Sequence, residues 1–327
     1  VRIVFMGTPE FAVPALRALT DAGHEIICVV TQPDRPRGRG YKLASPPVKV
    51  EAERLGLPVV QPARVSDPEF VEGFAEMAPD VAVLAAFGQK ISAELLSVPR
   101  HGFINIHPSL LPKYRGAAPI ERAMINGDQV TGVTIMYMDE GWDTGDIGIW
   151  QDMPIPSDAD RGWLECALAE LGGELIVKFL RLIECGEAPR VPQDHSAATY
   201  ARKLSSDEFE IDWRKSAREI GNLIRALSPA PGARTSFAGQ SVRILRAHEI
   251  APVLVGDGEA GETVCSGYPG MLTIGPEGEL IVFCGLNGCE LMALDVVHPA
   301  GKRQMPAADF ARGRRISHGD RFGSGMC

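Results

Sequence analysis

The sequence predicts an α/β protein of two domains, a doubly wound parallel sheet followed by a smaller β-barrel, and three observations carry that expectation. The chain has 327 residues, more than the ~250–300 that one hydrophobic core usually serves. Through the first half, short apolar runs alternate with helical patterns, as in parallel strands joined by helical crossovers. From residue 238 the texture changes to short alternating runs broken by glycine and proline, the mark of a small barrel or sandwich.

Residues 2–6, 26–30, 81–87, 103–106 and 132–138 read as the strands of the first domain, each a short apolar run. Between them, 10–21, 47–55, 68–77 and 118–126 have helical spacing. Several open on a proline, which a first helical turn tolerates because its N–H has no intrahelical partner. A long amphipathic stretch, 162–183, is expected to pack back on the sheet. Residues 186–206 lose periodicity, and strands of the second domain are expected at 241–245, 270–274, 280–284 and 291–297. The division expected is a Rossmann-like domain over 1–188, a linker over 189–206 and an OB-like barrel over 207–327.

Composition excludes several classes. With 45% hydrophobic and 23% charged residues, the chain is not disordered, collagenous or coiled-coil. No apolar run approaches the ~20 residues that span a bilayer, and the start VRIVFMGTPE lacks the layout of a signal peptide. A soluble, cytoplasmic monomer without a membrane partner is expected. Seven cysteines, scattered and without a CxxC pair, read as small buried apolar residues rather than a disulfide or zinc framework. A net charge of -9 argues against coating nucleic acid through bulk charge, yet a basic tail gathers Lys302, Arg303, Arg312, Arg314, Arg315 and Arg321.

Four stretches carry candidate chemistry. The opening strand runs into Gly7-Thr8-Pro9, where a lone glycine and a proline without an N–H make a generic βα turn rather than a dinucleotide cradle. Residues 31–42 contain two prolines and two glycines and read as a loop. Arg35, Arg37, Arg39 and Lys42 suit it to gripping phosphates and Tyr41 to stacking on a base, with a plain solvated surface as the alternative. In Phe103-Ile104-Asn105-Ile106-His107-Pro108, the period of a strand puts Asn105 and His107 on one face. That face lies where a doubly wound sheet keeps its ligand, although a hydrogen-bonded histidine at a strand end would look the same. Finally, the loop holding Asp139, Glu140, Asp143 and Asp146 brings carboxylates that can set a histidine's tautomer. A magnesium site is the alternative, but no phosphate cradle accompanies it, so no metal is expected.

The strings GTPEFAVPALRAL, TQPDRPRGRG, INIHPSLLPKYRGAAPI and GVTIMYMDEGWDTGDI resemble the 10-formyltetrahydrofolate-dependent formyltransferases, and within them the branch that formylates methionyl-tRNA. KLSSDEFEIDW, IRALSPAPGA and AGKRQMPAADFARG are similar to that branch's linker and C-terminal domain, so the likeness spans nearly the whole chain. Ala230 stands where the family usually has tryptophan, and Trp142 where leucine is usual. The resemblance implies transfer of a formyl group from 10-formyltetrahydrofolate, a cosubstrate, to the α-amine of methionyl initiator tRNA. It assigns catalysis to Asn105, His107 in its protonated form and Asp143. The folate site would comprise Ser109, Leu110, Leu111 and Pro112 with Ala85, Phe87, Gly88 and Gln89, and the tRNA contacts Arg35, Arg37, Arg39 and Lys42. A formyl-folate hydrolase, a sugar-nucleotide formyltransferase and a non-catalytic tRNA-binding module are the alternatives. The first two leave the basic segments unexplained.

Overall fold

A computed structural model describes residues 1–37, 42–251 and 267–323, with the side chains of Arg37 and Lys42 outside that description. The described residues form two compact units. The first comprises Val1–Pro119, Gln129–Ile155 and Trp163–Arg202; the second takes Ile120–Asp128, Pro156–Gly162 and the described part of Lys203–Cys327.

The first unit is built on β1 (Arg2–Gly7), α1 (Val13–Asp21), β2 (Glu25–Val30), β3 (Arg35–Arg37), β4 (Lys42–Ala44), α2 (Pro47–Arg54), β5 (Val59–Val60), α3 (Pro68–Glu76), β6 (Val81–Ala85), α4 (Ala93–Leu96) and β7 (Phe103–His107). It continues through α5 (Pro119–Asn126), most of which belongs to the second unit, to β8 (Val130–Tyr137), β9 (Ile147–Pro154) and α6 (Arg161–Cys185). The sheet order is β5-β2-β1-β6-β7-β8-β9. Its strands are parallel from β5 to β7. Every residue of β6 and β7 is buried, because helices cover both faces of such a sheet. Chain order reverses between β1 and β6, which puts the topological switch point beside the ends of those strands. Helices α1, α2 and α3 each carry proline in the first turn. Helix α6 lies close on the sheet at Gly172, where a Cβ would come 2.7 Å from Ile106 Cγ2.

Three expectations for this unit change. The strand expected at 132–138 runs antiparallel to β7 and pairs with β9, which alternation did not reveal because β9 is an edge strand of largely exposed residues. Residues 31–42, expected as a loop, include the β3–β4 ribbon, a two-stranded pairing outside the main sheet that tolerates Pro36. The strand expected to reach residue 87 stops at Ala85, where Ala86 turns to φ 45.

In the second unit, α7 (Ala217–Leu227), β10 (Ala233–Phe237), β11 (Gln240–Ile250), β12 (Leu272–Ile274), β13 (Leu280–Cys284), β14 (Glu290–Pro299), β15 (Met305–Pro306) and α8 (Ala307–Arg314) follow in order. The antiparallel order is β10-β11-β14-β13-β12. Residues 319–323 close it, since Phe322 bridges to Phe237 beside one edge and Arg321 to Met271 beside the other. Helices α7 and α8 were not expected: alternation reports strands, whereas these helices fill the core with Ile220, Ile224, Leu227, Phe310 and Ala311. Trp213 stacks on Phe322 at 5.6 Å in the same core. Of the five described cysteines, Cys28 and Cys284 are buried, whereas Cys166, Cys185 and Cys289 are exposed, so burial holds for only part of the set.

Candidate functional site

Asn105 and His107 are 7% and 4% exposed on the buried strand β7. The His107 Nε2–H donates to the Tyr114 carbonyl at 3.0 Å. A carbonyl only accepts, so that nitrogen carries a proton and the tautomer is set by the fold. The other nitrogen, Nδ1, stands 3.8 Å from Asp143 Oδ1. Asn105 Nδ2 donates to the same oxygen at 3.5 Å. The second oxygen, Asp143 Oδ2, accepts from the Gly116 N–H at 2.8 Å. One carboxylate oxygen is thus anchored to main chain while the other is shared loosely between an amide and an imidazole.

Asp143 and Tyr114 both hold left-handed backbone, at φ 52 and 61, at a cost of roughly 1–2 kcal/mol each for a residue with a Cβ. The surrounding contacts impose this geometry. Asp139 Oδ1 accepts from the Gly141 N–H at 3.0 Å and from Thr144 Oγ1 at 2.6 Å. Gln193 Nε2 donates to the carbonyls of Asp143 and Gly145, at 2.9 and 2.7 Å. The 114–116 turn is stitched to residues 199–201: Arg115 N–H donates to the Thr199 carbonyl at 2.9 Å and Ala201 N–H to the Arg115 carbonyl at 2.7 Å. A Cβ on Gly116, at φ 116, would come 2.9 Å from the Ala201 carbonyl oxygen. Residues 189–202, read from sequence as linker, therefore include part of the frame of this site; without periodicity or motif, Gln193 gave no sequence signal. The four carboxylates of the loop do not converge. Asp139 serves its own turn, Asp143 faces β7, Asp146 lies 3.6 Å from Arg190 Nε and Glu140 is exposed. Among the described residues no group of three or more acid, His or Cys side chains is gathered as a metal would need.

The residues after β7 divide by role. Ser109 is fully buried; its Oγ donates to the Lys113 carbonyl at 2.7 Å and its carbonyl accepts from Thr134 Oγ1 at 2.7 Å. Thr134 Oγ1 also accepts from the Leu111 N–H at 3.1 Å, so this buried hydroxyl, missed in the sequence, shapes the turn. Leu111 packs with Met136 and Ile147, while Leu110 and Pro112 remain half-buried beside it. In the neighbouring loop Ala85 is buried and Phe87 belongs to the core, its carbonyl accepting from Thr8 Oγ1 at 3.0 Å and Gln32 Nε2 at 3.3 Å. Ala86 and Gly88 are exposed. Gln89 Oε1 accepts from the Val65 N–H at 3.0 Å.

Within the basic segment, Arg35 is exposed and its Nη2 donates to Gln32 Oε1 at 3.2 Å. Arg39 and Tyr41 lie outside the described residues, as do the side chains of Arg37 and Lys42. The ribbon's base is tied by Asp34, which accepts from Gln61 Nε2 at 2.8 Å and Lys49 Nζ at 2.9 Å. Those two donors hold its carboxyl below the usual carboxylate range. Behind it Glu51, buried between Arg17 and Arg54, is pulled down to about 2, chiefly by its hydrogen bond with Arg17. In the basic tail, Arg312 pairs with Asp309, Arg314 with Gln240, and Arg321 lies 5.1 Å over the Tyr268 ring. Trp142 is 67% exposed beside Asp143, and Ala230 is exposed and is not among the residues of the barrel core.

A family model described as formyl transferase matches residues 1–180, and one described as formyl transferase, C-terminal domain, matches residues 203–315. The chain is 45% identical to the methionyl-tRNA formyltransferase of Moorella thermoacetica, covering 99% of both chains. It is 44% identical to that of Syntrophus aciditrophicus, again over 99% of each. Among solved structures, an N-formyltransferase from Helicobacter canadensis in complex with folinic acid and dTDP-3-aminofucose aligns at a TM-score of 0.66 and 19% identity, over 90% of this chain and 99% of that one. HypX from Aquifex aeolicus in complex with tetrahydrofolic acid aligns at 0.60 and 19%, over 95% of this chain and 48% of its own. At such identity the likeness to these two is one of fold.

Proposed function

Because the chain belongs to the formyl transferase family, with methionyl-tRNA formyltransferases as full-length relatives, we propose that it moves the formyl group of 10-formyltetrahydrofolate to the α-amine of methionyl initiator tRNA. The observation that supports the chemistry is the meeting of Asn105, His107 and Asp143 within 3.5–3.8 Å. Attack comes from the neutral amine, whose ordinary pKa of ~7.7–8.0 makes a strong base unnecessary. The costly event is the negative charge that develops on the formyl oxygen. A donor aimed at such an oxygen is typically worth ~3–4 kcal/mol.

Asn105 Nδ2 fits that task because its bond to Asp143, at 3.5 Å, is long enough to exchange for a substrate oxygen at little cost. His107 contributes through Nδ1, since Nε2 is committed to the Tyr114 carbonyl. With a proton on Nδ1 as well, the ring donates to the oxyanion while the Asp143 carboxylate balances its charge. Asp143 Oδ1 then takes the proton that the attacking amine loses and passes it toward the departing nitrogen. Transfer is direct. The Ser109 hydroxyl is buried and bonded to Lys113, so it is not presented as a nucleophile.

Leu110, Pro112 and the accessible backbone at 86 and 88 hold the folate, with Leu111, Ser109, Ala85, Phe87 and Gln89 shaping that surface from behind. Arg35, with Arg37, Arg39 and Lys42 of the same segment, grips the acceptor end of the tRNA. Every proposed residue lies in one chain, and the protein is proposed to act as a monomer. A charged tRNA as acceptor supports action in the cytoplasm, and among the described residues no helix is long and apolar enough to cross a membrane. The test is transfer of labelled formyl from 10-formyltetrahydrofolate with charged initiator tRNA, charged elongator tRNA, an amino-sugar nucleotide and water in competition. Label in the initiator fraction is expected; label appearing only as formate, or only in a sugar-nucleotide amine, would replace this reading with a hydrolase or a sugar formyltransferase.

A further inference from the structure

Among the described residues Arg115 is the largest fully buried side chain, 2% exposed, and no carboxylate lies within ion-pair distance of it. Burying an unpaired guanidinium is expensive, so its contacts call for a purpose. Its Nε and Nη2 donate to Gln193 Oε1 at 3.1 and 2.6 Å, and Nη2 also donates to His195 Nδ1 at 3.1 Å. Gln193 is itself 5% exposed. With its oxygen claimed by a cation, the amide has one permitted orientation: the opposite one would set NH2 against guanidinium and oxygen against two carbonyls. Its Nε2 is therefore aimed at the carbonyls of Asp143 and Gly145, at 2.9 and 2.7 Å. The positive charge also polarises the amide and strengthens both of those bonds.

The two carbonyls flank the left-handed turn of Asp143, φ 52. Left to itself, that residue gains by relaxing out of the left-handed region, which would carry Oδ2 away from the Gly116 N–H and Oδ1 away from His107. The chain that supplies Arg115 supplies the other two holds as well, because Tyr114 fixes His107 Nε2 and Gly116 fixes Asp143 Oδ2. We propose that Gln193, oriented by Arg115, is a positioning residue for the reaction: it holds Asp143 in the one backbone conformation that puts its free carboxylate oxygen beside Asn105 and His107. This rests on the catalytic role of Asp143 proposed above.

The test compares the parent, Asp143→Asn, Gln193→Met and the double variant in steady-state turnover, with thermal unfolding as a check on folding. Methionine matches the length of glutamine and removes both donors. Gln193→Met should lower kcat by about tenfold to a hundredfold, the cost of misplacing a reacting group, and leave KM for donor and acceptor unchanged. In the Asp143→Asn background the same change should have no further effect, since there is no longer a carboxylate to hold. An equal loss in both backgrounds, a loss confined to KM, or parent turnover in folded Gln193→Met would each overturn the proposal. Should Gln193→Met not fold, Gln193→Glu keeps Arg115 paired while turning both donors into acceptors, and parent turnover in that protein overturns it equally. Parent turnover in Asp143→Asn removes the catalytic reading itself, whereas an impaired Asp143→Asn beside a normal Gln193→Met removes only the role of Gln193.

Discussion

Two segments assigned to the proposed reaction, the basic ribbon over residues 31–44 and the loop over residues 139–146, are held by opposite means. At the ribbon's base the ties run to a carboxylate partly open to solvent, Asp34 with Lys49, Gln61 and Ser45, and two residues on from Lys49 in α2 the buried Glu51 pairs with Arg17 and Arg54. In the acidic loop the decisive ties are to uncharged main chain: the carbonyls of Asp143 and Gly145 under a buried glutamine, and the Gly116 N–H under the Asp143 carboxylate. Ionic ties at the surface are screened by salt and shift with pH, which suits the proposed uptake and release of a polyanion. Buried and half-buried bonds to main chain hold an atom in place, which suits the proposed delivery of one carboxylate oxygen.

The sharpest way to break the comparison is at the loop. Asp143→Asn should lower turnover at least ~100-fold, the lower end of acid–base contributions, with thermal unfolding little changed; near-normal turnover would take Asp143 out of the chemistry. A smaller effect is expected at the ribbon. Arg35→Ala, and likewise Arg39→Ala, should cost ~1–3 kcal/mol in transition-state binding of charged tRNA, about tenfold or more in kcat/KM, and leave donor KM unchanged. Because the parent's phosphate contact weakens with salt and the variant lacks it, the difference should shrink as ionic strength rises. Unchanged efficiency on charged initiator tRNA at low salt would reduce the ribbon to a solvated surface.

The smallest effect concerns pH. A carboxylate whose folded pKa is depressed stabilises the fold above its unfolded value and loses that contribution as pH falls through the folded one. For Glu51 the window runs from the ordinary ~4.3 down to about 2. Glu51→Gln should therefore be less stable than the parent by about 1–2 kcal/mol near neutral pH, and the two denaturation midpoints should converge as pH approaches the bottom of that window. A gap that stays constant down to the lowest pH would mean that Glu51 acts through packing instead of charge.

What could be read from the chain follows what is local. Burial on both faces of β1 and β6 shows as apolar runs, and in β7, FINIH, the two-residue period of a strand is enough to set Asn105 and His107 on one face. Strand direction was not legible: a parallel and an antiparallel neighbour bury the same residues, so β8 read as parallel until its pairing with β7 and β9 was seen. Helices α7 and α8 lie outside the run of alternating strands, α7 before β10 and α8 after β15, so the strand texture says nothing of them although they fill the barrel's core.

For the site, the amino-acid order alone determined the chemical inventory: an amide, an imidazole and a carboxylate, a basic segment and a proline-bounded turn. The tertiary structure decided which nitrogen of His107 is free, which oxygen of Asp143 is anchored, that Ser109 is spent on its own turn, and that Arg115 and Gln193 belong to the frame. The anchoring of Asp143 and the roles of Arg115 and Gln193 depend on contacts between residues such as 115 and 193 or 116 and 143, far apart in the chain. A hydrogen bond across that separation leaves no period or spacing in the sequence, because only the folded chain brings its donor to its acceptor.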